Sequence, residues 1–148
     1  NEPRALRCVE LFCGTGLLGA TLQNRLLEYT GNDNARDALR AGRQNFAARN
    51  MPGSFMNADL YRRPIKLPVD TDLLIANPPR AGLNKKQIPS IADAGIPWLL
   101  YSSCNPMTLN RDLGLLQPHG YATRAVHIFD FFPRTSHLEV LILLEKQR

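Results

Sequence analysis

Short apolar runs alternate with helical-period stretches along this chain. Cys8-Val-Glu-Leu-Phe-Cys13 reads as a buried strand, and Gly14-Thr-Gly16 then opens an apolar helix predicted from Leu17 to about Leu27. Glu28 to Asp33 predicts a second strand. Ala35 to about Arg49, rich in Ala, Arg and Gln with apolar residues at helical intervals, predicts a helix that Asn50-Met-Pro-Gly53 breaks. Ser54 to Asp59 is the third predicted strand, a proline-bearing loop runs to Val69, and Asp72 to Ala76 is the fourth, ending in Asn77-Pro-Pro-Arg80. Trp98 to Ser103 is the fifth, stopped by Pro106, which lacks the N–H a sheet ladder needs. Thr108 is the predicted cap of a helix through Arg111 to Leu116, which Pro118-His-Gly120 ends. Thr123 to Phe129 and Leu138 to Leu144 predict two late strands around a turn at Asp130 to Ser136. This order predicts an α/β fold with a mostly parallel, doubly wound sheet of seven strands and an antiparallel closing strand.

Composition narrows the class. A chain of 148 residues, 44% hydrophobic and 21% charged, is large enough for one domain with its own core, and no repeat or linker divides it. Cys8, Cys13 and Cys104 are odd in number and lack C-x-x-C spacing, so neither a disulfide framework nor a metal site is expected, and a reducing cytoplasm is the expected compartment. No stretch approaches the roughly 20 apolar residues of a membrane span, and the first residues do not resemble a signal peptide. A net charge of +5 permits a polyanionic partner, although Arg62-Arg63 and Lys85-Lys86 are short pairs that read equally well as solvated faces.

In parallel sheets ligands bind beyond the carboxyl ends of the strands, and the unusual residues of this chain collect on that edge. Gly14 and Gly16 let the backbone approach a ligand, and Asp33, ending the second strand, can accept hydrogen bonds from both ribose hydroxyls. Asp59, ending the third, can bind an adenine amino group or cap a turn, and the two readings are equal. Glu10 precedes the glycine loop, where it can orient a ligand ammonium through water; a purely structural role is the lesser expectation, because burying an acid is costly. The glycine pattern is shorter than that of dinucleotide sites, and with Asn77-Pro-Pro at the fourth strand it suits S-adenosylmethionine. Amino-group methyltransferases follow Asn-Pro-Pro with an aromatic residue, where this chain has Arg80, and cytosine-specific enzymes carry their cysteine at that same place, whereas here the thiol stands at strand five.

Four stretches together carry a resemblance. Glu10-Leu-Phe-Cys-Gly-Thr-Gly16, Asn77-Pro-Pro-Arg-Ala-Gly82, Tyr101-Ser-Ser-Cys-Asn-Pro106 with Thr108 and Arg111-Asp112-Leu113, and Asp130-Phe-Phe-Pro-Arg-Thr-Ser-His-Leu-Glu139 are similar to the catalytic domain of the RNA uracil-carbon-5 methyltransferases. They span nearly the whole chain in the family's order. The family usually has aspartate at the place of Asn77, and a bacterial ribosomal-RNA branch reads Asn-Pro-Pro-Arg, which favours 23S ribosomal RNA over transfer RNA as substrate.

The resemblance implies a Rossmann-like class I fold using S-adenosylmethionine, here a catalytic domain over residues 1–148 with the upstream RNA-binding region absent. Full-length members carry that region, some with an iron–sulfur cluster, so weak cofactor binding and poor turnover are expected of this chain alone. A monomer that binds RNA and no membrane is expected. Carbon 5 of uracil is too poor a nucleophile to take a methyl group directly, so a thiolate first adds to carbon 6 and a base later removes the carbon 5 proton. The family pattern makes Cys104 that nucleophile and Glu139 that base. Glu10, Gly14, Gly16, Asp33, Asp59 and Asn77 are the expected cofactor residues. Asn77 can also match the edge of uracil, or merely cap its turn. Arg80, Arg111 and Arg134 are candidates for RNA phosphates or for surface ion pairs. Cys8 and Cys13 read as structural, His137 as a helper or a packed residue, and Phe129, Phe131 and Phe132 as core more than as base-stacking groups.

Overall fold

Cys8, Val9, Glu10 and Leu11 are buried in succession, which places the first strand at the centre of a sheet. Strand β1 (Leu6–Leu11) runs parallel to β2 (Leu26–Asp33) on one side and β4 (Leu73–Ala76) on the other, so both of its faces are covered. This is a computed structural model, and it describes residues 4–131, 133–134 and 138–147; the expectations for Phe132 and His137 lie outside the described residues. The remaining strands are β3 (Ser54–Asn57), β5 (Trp98–Ser103), β6 (Tyr121–Phe129) and β7 (Glu139–Lys146), in the order β3-β2-β1-β4-β5-β7-β6. The first five are mutually parallel, and β7 inserts between β5 and β6, antiparallel to both. The expected seven-stranded, mostly parallel sheet is therefore observed. Among the described residues no helix is long and apolar enough to cross a membrane.

Two cores flank the sheet. On one face α2 (Arg36–Ala48) presents Leu39, Gly42 and Phe46 to Tyr29 and Phe55. A methyl group on Gly42 would stand 2.4 Å from the Phe55 ring, so the bare α-carbon is what lets Phe55 pack edge-on to Phe46. On the other face α3 (Gln87–Ala94) and α4 (Pro106–Leu116) cover β4, β5 and β7 with Ile88, Ile91, Leu109 and Leu116.

Three local expectations are corrected. The helix predicted from Leu17 to Leu27 is only α1 (Leu17–Ala20) and a 3₁₀ turn at Gln23–Arg25. The Thr21 hydroxyl donates to the Leu18 carbonyl at 2.6 Å, and Leu26 is drawn into register with Leu6 as the first residue of β2, so apolar residues that look like one helical stripe belong to two elements. Helix α3 falls in the stretch between Arg80 and Trp98, for which no element was predicted, and it contains Pro89. It lies in the first turn, where proline removes no intrahelical bond, and Gly95 ends the helix at φ 65°. Finally, Asn105 caps α4, its side chain accepting from the Met107 N–H at 3.1 Å, and Thr108 sits inside the helix.

Candidate active site

The turn after β1 is built from left-handed backbone. Phe12, Gly14 and Gly16 have φ of 58°, 52° and 75°. The Gly14 N–H donates to Asp33 Oδ2 at 2.8 Å and the Ala35 N–H to Asp33 Oδ1 at 2.9 Å, so the carboxylate is fixed at the tip of β2 with lone pairs remaining on both oxygens. Above it opens a cavity of about 450 Å³ lined by Phe12, Cys13, Gly14, Asp33, Ala58, Leu60, Tyr61 and Asn77, among others. A Cβ on Gly14 would meet nothing within 4 Å, so the backbone there is open to a guest. Phe12 and Tyr61, with ring centroids 5.5 Å apart, contribute an aromatic wall. Neither was singled out in the sequence; the positive φ of Phe12, invisible before folding, is the signal that turns it there.

Of the residues expected at a cofactor, Gly14, Asp33 and Asn77 line this cavity and Glu10, Gly16 and Asp59 do not. Gly16 is buried beneath it, with space for a Cβ closed at 3.0 Å by Phe55 and the Tyr29 hydroxyl. Asp59 Oδ1 accepts from the Tyr61 and Arg62 N–H groups at 3.1 Å each, so it caps the turn after β3. Glu10 is 1% exposed, and its Oε2 accepts the Tyr29 hydroxyl at 2.7 Å and the Gly19 N–H at 3.0 Å. Through Oε2 it anchors α1 to the sheet, the structural role that the sequence made the lesser expectation.

Burial raises the Glu10 carboxyl to about 7 despite those two bonds, with the charge of Asp33 adding to the rise. Burial and then Glu10 raise Cys8, and burial, Glu10 and Asp33 push Cys13 up to about 12, so both thiols stay protonated and unreactive. Because the folded carboxyl holds its proton more tightly than the unfolded one, its contribution to stability is complete below about 4.5 and lost as pH rises through about 7. Glu10→Gln keeps an acceptor for Tyr29 and Gly19 without the charge. It is expected to match wild type in urea unfolding at the acid end and to exceed it by about 1–3 kcal/mol above neutrality, where the buried charge is costly. A difference that does not change with pH would count against this account.

The loop after β4 is locked to α4. The Arg80 carbonyl accepts from Asn105 Nδ2 at 2.9 Å and from the Thr108 hydroxyl at 3.0 Å. Arg111 Nη2 donates to the Ala81 and Leu83 carbonyls, and Asp112, fully buried, accepts the Leu83 N–H at 2.7 Å and the Tyr101 hydroxyl at 2.6 Å. Arg111 also pairs with Asp112 Oδ1 at 2.6 Å, so its guanidinium serves this clamp, the ion-pair reading of the two that the sequence leaves open. Gly82, at φ 76°, leaves no room for a side chain: a Cβ would lie 2.6 Å from Asp112 Oδ2. Arg80 and Arg134 are exposed, Arg134 with a left-handed backbone.

Cys104 is half-buried at the carboxyl end of β5, one strand from Asn77, between Ser103 and the cap of α4. Ser103, the last residue of β5, pairs with Val140 in the antiparallel ladder, so Cys104 leaves β5 at the end where Glu139 begins β7. Ser102, two residues before the thiol, donates its hydroxyl to Glu139 Oε1 at 2.5 Å. A thiol and a carboxylate separated by 35 positions are thus brought to one end of the β5–β7 pair, the end at which β4 runs into Asn77. Phe129, opposite Glu139 on β6, stacks on Phe131 with parallel rings 5.4 Å apart; both are exposed, against the expectation that they fill the core.

The sequence model of the family described as tRNA (Uracil-5-)-methyltransferase matches residues 65–147, and that described as Methyltransferase small domain matches residues 1–93. An uncharacterized RNA methyltransferase of Clostridium acetobutylicum is 32% identical over 139 residues, which cover 93% of this chain and 30% of the relative. A 23S rRNA (uracil(747)-C(5))-methyltransferase of Shewanella pealeana is 33% identical over 147 residues, covering 93% and 36%. The crystal structure of Pyrococcus abyssi tRNA (uracil-54, C5)-methyltransferase in complex with S-adenosyl-L-homocysteine superposes with a TM-score of 0.83 at 28% identity, covering 95% of this chain and 34% of that one. The chain spans about a third of the length of the curated relatives it matches.

Proposed function

The chain belongs to the tRNA (uracil-5-)-methyltransferase family, and from that premise we propose that residues 1–148 are the S-adenosylmethionine-dependent catalytic domain of an enzyme that methylates carbon 5 of a uridine in RNA. The observation that carries the reading is that Cys104 follows β5 and Glu139 opens its neighbour β7 at one end of their ladder, with Ser102 bonded to Glu139, on the sheet edge where Asn77 lines the cavity. Ribosomal RNA is the proposed substrate, supported by Asn77-Pro-Pro-Arg80 and by the Shewanella relative.

The cavity suits the proposed cofactor by its own chemistry. Asp33 offers oxygens to ribose hydroxyls, Gly14 leaves its backbone open, and Phe12, Leu60 and Tyr61 give an apolar, partly aromatic wall for a purine. Bound there, S-adenosylmethionine would supply a methyl group made electrophilic by a sulfonium. The protein does the rest. The Cys104 thiolate adds to carbon 6 and shifts the ring's electron pair toward carbon 5, while Asn77 presents an acceptor and donors for the base edge. Glu139 then takes the proton from carbon 5, the C–H pair rebuilds the double bond, and the carbon–sulfur pair returns to Cys104. A target in folded RNA must first leave its stack, and Arg80 and Arg134 are the exposed cations proposed to hold the flanking phosphates.

The test is incubation with S-adenosylmethionine and RNA carrying 5-fluorouridine, whose fluorine cannot be removed as a proton. A covalent protein–RNA complex mapping to Cys104, and lost in Cys104→Ala, is expected. Methylation that persists in Cys104→Ala would overturn the reading.

A further inference from the structure

The two serines before the thiol do different work. Ser103 folds the tip: its hydroxyl accepts the Asn105 N–H and donates to the Asn105 carbonyl, each at 3.1 Å. Ser102 faces the other side of the sheet, 7% exposed, and meets the carboxylate of Glu139. Its ladder partner is Leu141, two residues along β7 from Glu139, so the bond runs diagonally across one face of the antiparallel pair. The hydroxyl is carried by a strand paired with β4 up to Tyr101 and with β7 through Ser102 and Ser103, which holds its backbone in place.

We propose that Ser102 is a positioning residue for deprotonation: its hydroxyl holds Oε1 of Glu139 so that Oε2 is the oxygen offered to the proton on carbon 5 of the bound base. The inference rests on the assignment of Cys104 and Glu139 above. A glutamate side chain at the start of a strand has three rotatable bonds, and a charge-assisted bond to one oxygen removes most of that freedom before substrate arrives. In the step itself Oε2 takes the proton, the C–H electron pair forms the carbon 5–carbon 6 double bond, and the carbon 6–sulfur bond breaks with its pair leaving as the Cys104 thiolate. The proton passes from Glu139 to solvent afterwards. Ser102 transfers nothing; it keeps the acceptor in place while the adduct resolves.

The experiment compares wild type, Ser102→Ala and Ser102→Thr on uridine-containing RNA with S-adenosylmethionine, quenched at short times so that the covalently bound fraction and the released product are read separately. Ser102→Ala is expected to form the adduct at the wild-type rate and to release it about ten- to a hundredfold more slowly, the scale of loss for a misplaced catalytic group. Ser102→Thr keeps the hydroxyl and is expected to restore release. Unchanged release in Ser102→Ala, or formation and release slowed equally without rescue by threonine, overturns the proposal. Should wild type form no Cys104 adduct at all, the methylation reading is what fails. The positioning claim is then decided by crystal structures of wild type and Ser102→Ala: displacement of the Glu139 carboxylate in the variant supports it, and an unmoved carboxylate refutes it.

Discussion

Glu139→Gln is expected to turn the proposed enzyme into a covalent trap. The amide is nearly the size of the carboxylate and its carbonyl can still accept the Ser102 hydroxyl, so the end of β7 should keep its shape. What it cannot do is accept a proton near neutral pH. Cys104 is untouched, addition to carbon 6 does not need the base, and the chain should therefore go as far as the methylated adduct and stop. Product release is expected to fall by about 10²–10⁴-fold, the range typical of a lost general base, while the covalently bound fraction of protein rises toward completion. The pattern differs from that of Cys104→Ala, which loses adduct and product together. A denaturing gel with labelled RNA reads both. If Glu139→Gln released product at the wild-type rate, another group would have to be the base.

The second large effect is expected at Asp112→Ala. Asp112 is fully buried, and its two oxygens together accept from the Leu83 N–H, the Tyr101 hydroxyl and the Arg111 guanidinium. Burial, and then the bond to Asp112, raises Tyr101 well above the ordinary tyrosine range, so its hydroxyl remains a donor at every working pH. Truncation leaves that hydroxyl and the Leu83 N–H in the core without an acceptor and Arg111 without its counter-charge. Arg111, its side chain 40% exposed, keeps part of its hydration, so the main cost is the two unpaired buried groups, about 1–3 kcal/mol each, which for a chain of this size lowers Tm by on the order of 10 °C. Stability is only half of the expected result. The loop from Arg80 to Leu83 is held by this clamp, and Arg80 is tied in turn to Asn105 beside the thiol, so adduct formation should also slow at temperatures where the variant is still folded. A melting curve combined with the 5-fluorouridine assay separates the two. A Tm within about 2 °C of wild type would mean that the clamp contributes less than a single buried bond.

The architecture was legible because alternation of short apolar runs with helical stretches is a local signal. So was the edge on which the chemistry sits, since Gly14, Asp33, Asn77 and Cys104 all follow runs that end in turn residues. What could not be read was where each charged or polar side chain spends its bonds. Glu10, Asp59 and Arg111 look like ligand residues in one dimension, and in three they are occupied by Gly19 and Tyr29, by a turn, and by a loop 28 to 30 residues away. Ser102 carried no signal, because its partner is 37 residues distant. Phe12 and Tyr61 were passed over for the opposite reason: aromatic residues next to strands look like core, and only the turn geometry brings them to the cavity. Helix α3 was not read at all; its Pro89 is compatible with a helix because it falls in the first turn.

The insertion of β7 between β5 and β6 sets a schedule for biogenesis. Strand β6 pairs with β7 and with no other described strand, so while the chain is being synthesised it stays unzipped until residues 139–146 have emerged. Parallel β1 to β5 can assemble beforehand, leaving β5 with an open edge that presents bare amide and carbonyl groups, the kind of surface that invites mispairing. Cys104 thus emerges before its proposed partner Glu139, and the strand that delivers Glu139 is the same one that seals the sheet.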